Sequence, residues 1–118
     1  MGRHDEVTVS RQATLSVADV GRLAAQVLDA VGTVVVGKRD TLELVLAGVL
    51  AGGHVLLEDL PGLGKTLTAR SLAQALGLGF RRLQFPPDLL PADVTGSFLY
   101  DQRTHDFTFR AGPIFTNL

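Results

Sequence analysis

The 118-residue chain has no cysteine and no tryptophan, and only one tyrosine and one methionine. Without cysteine there can be neither a disulfide framework nor a thiolate metal site. An excess of charge is missing too. The 11 Lys and Arg stand against 12 Asp and Glu, a net charge of −1, so no global field draws the chain to nucleic acid or to an anionic membrane. Aromatic residues make up 6% of the sequence and form no basic stripe, which argues against a base-stacking platform. No apolar run approaches the length of a membrane span. The polar opening MGRHDEVTVSRQ cannot be the apolar core of a signal peptide, and Glu6 stands where a myristoylation signal needs Ser or Thr. His4, His54 and His105 have no metal-ligand spacing. Repeats and low-complexity tracts are absent. With 46% hydrophobic and 19% charged residues, the composition predicts a soluble, cytoplasmic, globular protein.

What the chain does contain is a clear succession of elements. Residues 1–15 have no sustained period and are read as a flexible arm. Ser16, with Asp19 three positions on, opens a helix in a capping-box pattern. Val17, Val20, Ala24, Val27, Leu28 and Val31 then fall on one face, and Gly32 can end it. The short connector TVVVGK leads to a second helix in RDTLELVLAGVLAGG, with Leu42, Val45, Leu46, Val49 and Leu50 predicted to face inward. HVLLE (54–58) reads as a buried strand, and KTLTARSLAQALG as a helix with Leu67, Leu72 and Leu76 as its stripe. FRRLQF (80–85) is a plausible second strand. PPDLLPADVTGS (86–97) reads as a structured loop in which Asp88 and Asp93 cap or turn the chain. FLY and FTFR, separated by DQRTHD, predict a small hairpin.

Between the strand HVLLE and the following helix lies DLPGLGKT (59–66), the segment richest in chemistry. Phosphates need several donors converging on a small volume. A loop whose N–H groups point inward, feeding a helix N-terminus, supplies them together with the positive end of the helix dipole. Gly62 and Gly64 allow close backbone approach. Lys65 brings a positive charge to the terminal phosphates, and Thr66 can place a hydroxyl on Mg²⁺. Asp59 stands where the usual pattern has its first glycine. Asp tolerates left-handed backbone better than most residues, but its carboxylate must point away from the phosphates. The structural alternative is a plain strand-to-helix turn with a solvated lysine. The agreement of strand, loop, Lys-Thr and helix favours a nucleotide site.

Two further segments carry a resemblance. LLEDLPGLGKT looks like the nucleotide loop of AAA+ ATPases, and RRLQFPPDLLPADVTG together with FTFRAGPIFTN resembles the MoxR family. The likeness runs from about residue 16 to the last residue, and QF-x-PDLLP-x-DVTG is its most specific part. Pro86 replaces the family's usual Thr, and many members carry Ala where this chain has Gly64. The resemblance implies an α/β P-loop fold, the three-layer α/β/α core of AAA+ proteins, here incomplete, with a β-hairpin insertion near the C-terminal end. It assigns Pro61, Gly62, Leu63, Gly64, Lys65, Thr66 and Leu67 to ATP and Mg²⁺, with Lys65 catalytic and Thr66 on the metal. Val36 and Gly37 match the family's adenine-side turn. It also implies a hexameric ring, a hairpin within 98–110 facing the ring's pore, and a von Willebrand factor A-type partner protein in chaperone-like maturation of enzymes.

Hydrolysis asks for more than this loop: a carboxylate for Mg²⁺ after an apolar strand, and a neighbouring Glu to orient water. Downstream of Thr66 the nearest imitation is FLYDQ, where Asp101 is followed by Gln102, and the start of a hairpin turn is the better reading. By the resemblance, the acidic motif lies a few residues past Leu118. Residues 16–118 are therefore expected to be the N-terminal part of an AAA+ domain, truncated before that motif, and to fold poorly alone. The family's sheet order would separate HVLLE from FRRLQF and leave both without neighbours. Two alternatives remain open at this stage: a nucleotide-binding remnant without hydrolysis, and another P-loop phosphoryl-transfer enzyme such as a small kinase.

Overall fold

The structure, a computed structural model, describes residues 14–58 and 64–118. The elements run α1 (Val17–Gly32), α2 (Arg39–Leu50), α3 (Lys65–Ala75), α4 (Pro91–Thr95), β1 (Gly96–Asp101) and β2 (Asp106–Ala111). The expected arm lies largely outside the described residues. α1 begins where Ser16 and Asp19 predict. The Asp19 N–H donates to Ser16 Oγ at 3.1 Å, and the Ser16 N–H donates to the Asp19 carboxylate at 3.3 Å. Two of the four N–H groups that a helix start leaves open are thereby satisfied. α2 and α3 both end on a glycine in the left-handed region, Gly52 at φ +69 and Gly77 at φ +67. After α3, the Gly77 N–H donates to Gln74 at 3.1 Å and the Leu78 N–H to Ala73 at 2.8 Å, which closes the last turn and reverses the chain.

α1, α2 and α3 enclose one small core of Leu28, Val31, Val35, Leu42, Val45, Leu46 and Leu72. Part of each predicted stripe is redistributed. Val17 is 91% exposed, and Leu50 and Leu67 are also exposed, while Thr68 and Ala73 are buried. Helical spacing selects a face, but burial also needs an opposing wall, and the walls here cover only the middle of each stripe. The Arg39 guanidinium bridges from α2 to Asp29 on α1 at 2.6 Å, with Glu43 at 3.5 Å. These two carboxylates hold Arg39 above its ordinary pKa, Asp29 more than Glu43.

The hairpin forms as predicted and extends further. Gly96 to Asp101 pair antiparallel with Ala111 to Asp106, placing Phe98 opposite Phe109 and Tyr100 opposite Phe107. Both ring pairs stand 5.2 Å apart, the cross-strand contact that holds such ribbons. A Cβ on Gly96 would meet the Arg110 carbonyl at 2.3 Å, so only glycine fits where the base of the hairpin closes. The predicted loop 86–97 contains α4. Pro91 sits in its first turn, and the Asp93 carboxylate accepts from the Leu90 N–H at 2.9 Å, the capping role expected of it. Asp101 accepts from the Arg103 N–H at 2.9 Å at the hairpin turn, again as expected.

Two predicted strands are not strands. HVLLE and FRRLQF have no ladder among the described residues, where β1–β2 is the one sheet. A strand is a relation between chains, and an apolar run without partners has only its local geometry. Within HVLLE, Leu57 packs on the core while Leu56 is 81% exposed. FRRLQF does gain one neighbour. The Leu118 N–H donates to the Gly79 carbonyl and the Arg81 N–H to the Leu118 carbonyl, both at 3.1 Å, the alternation of a parallel pair. The expectation that this segment touches nothing is thus corrected at Phe80. The α/β P-loop class stands in incomplete form, with helices, a hairpin and extended segments that build no further sheet among the described residues. Among the described residues no helix is long and apolar enough to cross a membrane.

The radius of gyration is 20.1 Å, against about 13–14 Å for a compact chain of this length. Phe85, Leu90, Phe98, Phe107, Ile114 and Phe115 are all exposed. The 118 residues by themselves should therefore bind a hydrophobic dye and self-associate at micromolar concentration. A cooperative, monomeric melt without dye binding contradicts this. The Ser16 hydroxyl and N–H, with Arg22 a lesser cause, hold the Asp19 carboxyl below its ordinary value of 3.8. A depressed carboxylate stabilises the fold above the unfolded pKa, and that contribution disappears as pH falls through the folded one. An NMR titration should place the Asp19 midpoint below 3.8 and move it upward in Ser16→Ala. Equal midpoints in the two proteins refute the capping box.

Candidate phosphate site

The first turn of α3 is built unlike that of α1. Its N-cap is Gly64, at φ +80 and ψ 24, with no side chain to close the turn and no acidic residue in it. The leading N–H groups of a helix have no partner within the helix, and the dipole adds positive potential where they point. A Cβ on Gly64 would meet nothing within 4 Å, so the constraint there is the left-handed backbone rather than space. Alanine at this position, as in many members of the resembling family, therefore costs about 1–2 kcal/mol of backbone strain without a clash. The Gly64 carbonyl accepts two bonds from residue 68, from the Thr68 N–H and from Thr68 Oγ1, each at 2.9 Å. Lys65 and Thr66 are half-buried, and Leu67 is 44% exposed.

Beside this turn lies a small cavity of about 60 Å³, lined by Lys38, Thr41, Leu42, Leu57, Glu58, Lys65 and Thr68. It adjoins a wider one of about 640 Å³ that takes in Gly32, Val35, Gly37, Arg39 and Asp40. Lys38, Thr41 and Leu42 line both. One continuous surface thus runs from the Gly37 turn to Lys65, two places the sequence links only by resemblance. Gly37, at φ +77, lines the wider cavity. Val36 does not line it and is 81% exposed. Pro61, Gly62 and Leu63, with Asp59, lie outside the described residues. Among the described residues no group of three or more His, Asp or Glu is placed to hold a metal ion.

Four lining residues escaped sequence reasoning: Lys38, Thr41, Glu58 and Thr68. The first two sit at the start of α2, well before the loop in sequence, and nothing local marks them. Glu58 carried a weak signal as the charged end of an apolar run. Thr68 carried a better one, since a hydroxyl four residues after a glycine N-cap can reach its carbonyl. Electrostatically the small cavity faces two lysines and one glutamate, a balance that suits an anion against the lysine side.

Residues 54–118, just over half of the chain, match the family model described as "ATPase family associated with various cellular activities (AAA)". YeaC of Bacillus subtilis, an uncharacterized protein, is 50% identical over 100 residues, covering 85% of this chain and 31% of YeaC. The chaperone MoxR1 of Mycobacterium tuberculosis is 42% identical over 84 residues, covering 71% of this chain and 22% of MoxR1. A crystal structure of a Cytophaga hutchinsonii protein assigned as an ATPase superposes with a TM-score of 0.69 at 44% identity. That superposition covers 80% of this chain and 29% of the other. The chain thus spans a third or less of the length of each of these proteins.

If Lys38 contributes positive potential to the surface, Lys38→Ala should weaken ATP binding severalfold in dilute buffer. The deficit should shrink in 1 M salt, where the Debye length is about 3 Å. Calorimetric titration of the protein at its natural length reads both. An unchanged affinity in dilute buffer removes Lys38 from the site.

Proposed function

The chain belongs to the MoxR family of AAA ATPases, and on that premise we propose that it is the ATP-binding part of a machine that couples ATP hydrolysis to chaperone-like remodelling of partner proteins. The observation that carries this reading is the start of α3: a side-chain-free, left-handed N-cap at Gly64 followed at once by Lys65 and Thr66. The loop 59–64 and the first turn of α3 take the phosphates, through Gly62, Leu63, Gly64, Lys65, Thr66 and Leu67, with Pro61 shaping the approach. The Lys65 ammonium faces the terminal phosphates and offsets the charge that builds there in transfer. Val36 and Gly37 take the base side; in support, Gly37 lines the wider cavity with Lys38 and Thr41, which also line the small cavity with Lys65.

The residues present fit a Mg²⁺ ion bound together with the nucleotide. Mg²⁺ is usually held by few protein ligands plus phosphate oxygens and water, and the Thr66 hydroxyl at the helix start supplies one. When bound, such an ion would supply positive charge against the phosphates. Assembly into a homo-oligomeric, hexameric ring, with the aromatic hairpin toward its pore and a von Willebrand factor A-type partner, belongs to the same proposal. Its support is family membership and the naming of one relative as a chaperone.

In the protein at its natural length, Lys65→Ala should abolish ATP binding or turnover, while the apo protein keeps the circular dichroism of wild type. Turnover at the wild-type rate takes Lys65 out of its assigned role. Stoichiometric ATP binding by a ring that never releases phosphate keeps the binding site but ends the hydrolytic part of the proposal.

A further inference from the structure

Thr68 is the one buried polar residue among those described, 5% exposed in the wall between α3 and the core. It lines the small cavity with Lys65 and also a larger one of about 390 Å³ with Val45, Leu72 and Phe80. Stability alone gives no reason for a threonine there. β-Branched residues are poorer helix formers than Ala or Leu, and a hydroxyl bonded back to the fourth preceding carbonyl slightly destabilises a helix. The Gly64 carbonyl does not need the hydroxyl either, because the N–H of residue 68 already donates to it at 2.9 Å.

We infer that Thr68 is a positioning residue for phosphate binding, acting through the peptide that joins Gly64 to Lys65. That peptide is planar and trans, so its C=O and N–H point in opposite directions. The Thr68 hydroxyl, 2.9 Å from the Gly64 oxygen, holds the carbonyl along the helix, toward the core. The Lys65 N–H is thereby fixed outward, toward the phosphate side. Gly64 sits in a region open to glycine across a wide range of φ and ψ, so a single N–H bond leaves this peptide freer to rock than two do. The hydroxyl removes that freedom before a ligand arrives, and preorganised donors bind an anion without an ordering cost on association. The inference rests on the nucleotide-binding reading above and adds a residue that reaches the ligand only through the backbone.

The test compares wild type, Thr68→Val, Thr68→Ser and Lys65→Ala at natural length, using ATP titration calorimetry and the melting temperature without nucleotide. Valine keeps the shape, removes the hydroxyl and strands no polar group, so the apo melting temperature should stay level or rise. ATP affinity should fall about fivefold, the worth of one ordinary hydrogen bond, and serine should restore it. Thr68→Val binding ATP as tightly as wild type overturns the inference. So does a Val variant that melts several degrees lower, or a Ser variant as weak as Val, since either marks a packing role. Wild type that binds no ATP at all, like Lys65→Ala, defeats the nucleotide reading itself, an outcome distinct from a Val variant indistinguishable from a binding wild type.

Discussion

The proposed phosphate site depends on how one helix starts. A helix N-terminus exposes donors that must find acceptors, and the chain solves that problem in two opposite ways. At α1 the acceptors are internal: Ser16 and Asp19 satisfy each other's backbone N–H groups, and the Asp19 carboxylate puts negative charge at the turn. At α3 the N-cap is Gly64, which has no side chain, and the first turn holds no acid. No N-cap side chain and no first-turn acid closes that turn, and Lys65 is its first residue. Sequence decides this contrast at one position: Ser in one case, Gly in the other.

An open helix start is useful only if it is held still. α3 is anchored by Leu72, fully buried in the core with residues of α1 and α2, and by Ala73, fully buried as well. Its lower end is turned off by Gly77, and its upper end is gripped by the pair of bonds from residue 68 to the Gly64 carbonyl. The core that supplies this anchorage is small, and its position matters more than its size. It sits directly behind the turn that faces the cavity, and the same Leu42 that packs in the core also lines that cavity. Arg39, paired with Asp29 and Glu43, ties α1 to the beginning of α2, which presents Lys38 and Thr41 to the same surface. Packing, capping and charge thus converge on one place.

How much of this could be read in advance varied with the range of the interaction responsible. Ser16 with Asp19, Gly77 after α3, and the alternating aromatics of 98–109 are local signals, and each produced the element it predicts. HVLLE and FRRLQF failed as strands because strand formation depends on a partner, which no periodicity within six residues can supply. The single parallel contact of Phe80 with Leu118 depends on residues nearly forty positions apart, beyond the reach of any window. The inward stripes of the helices were right at Leu28, Val31, Leu42, Val45, Leu46 and Leu72. They were wrong at Val17, Val20, Leu50 and Leu67, which stay exposed. Of the proposed site, Gly64, Lys65 and Thr66 could be named from the sequence because they stand consecutively in it. Lys38, Thr41 and Glu58 were not, because only folding brings them beside Lys65.

The account's central claim is that the first turn of α3 is an anion site kept open by its N-cap. Backbone amide hydrogen exchange with and without Mg-ATP, in the protein at natural length, tests it most directly. The claim predicts strong new protection at the Lys65, Thr66 and Leu67 amides, with the capped amide of Asp19 and the helix-bonded amide of Val20 in α1 unchanged. Exchange at 65–67 that is the same with and without nucleotide, while the protein binds ATP, would contradict it.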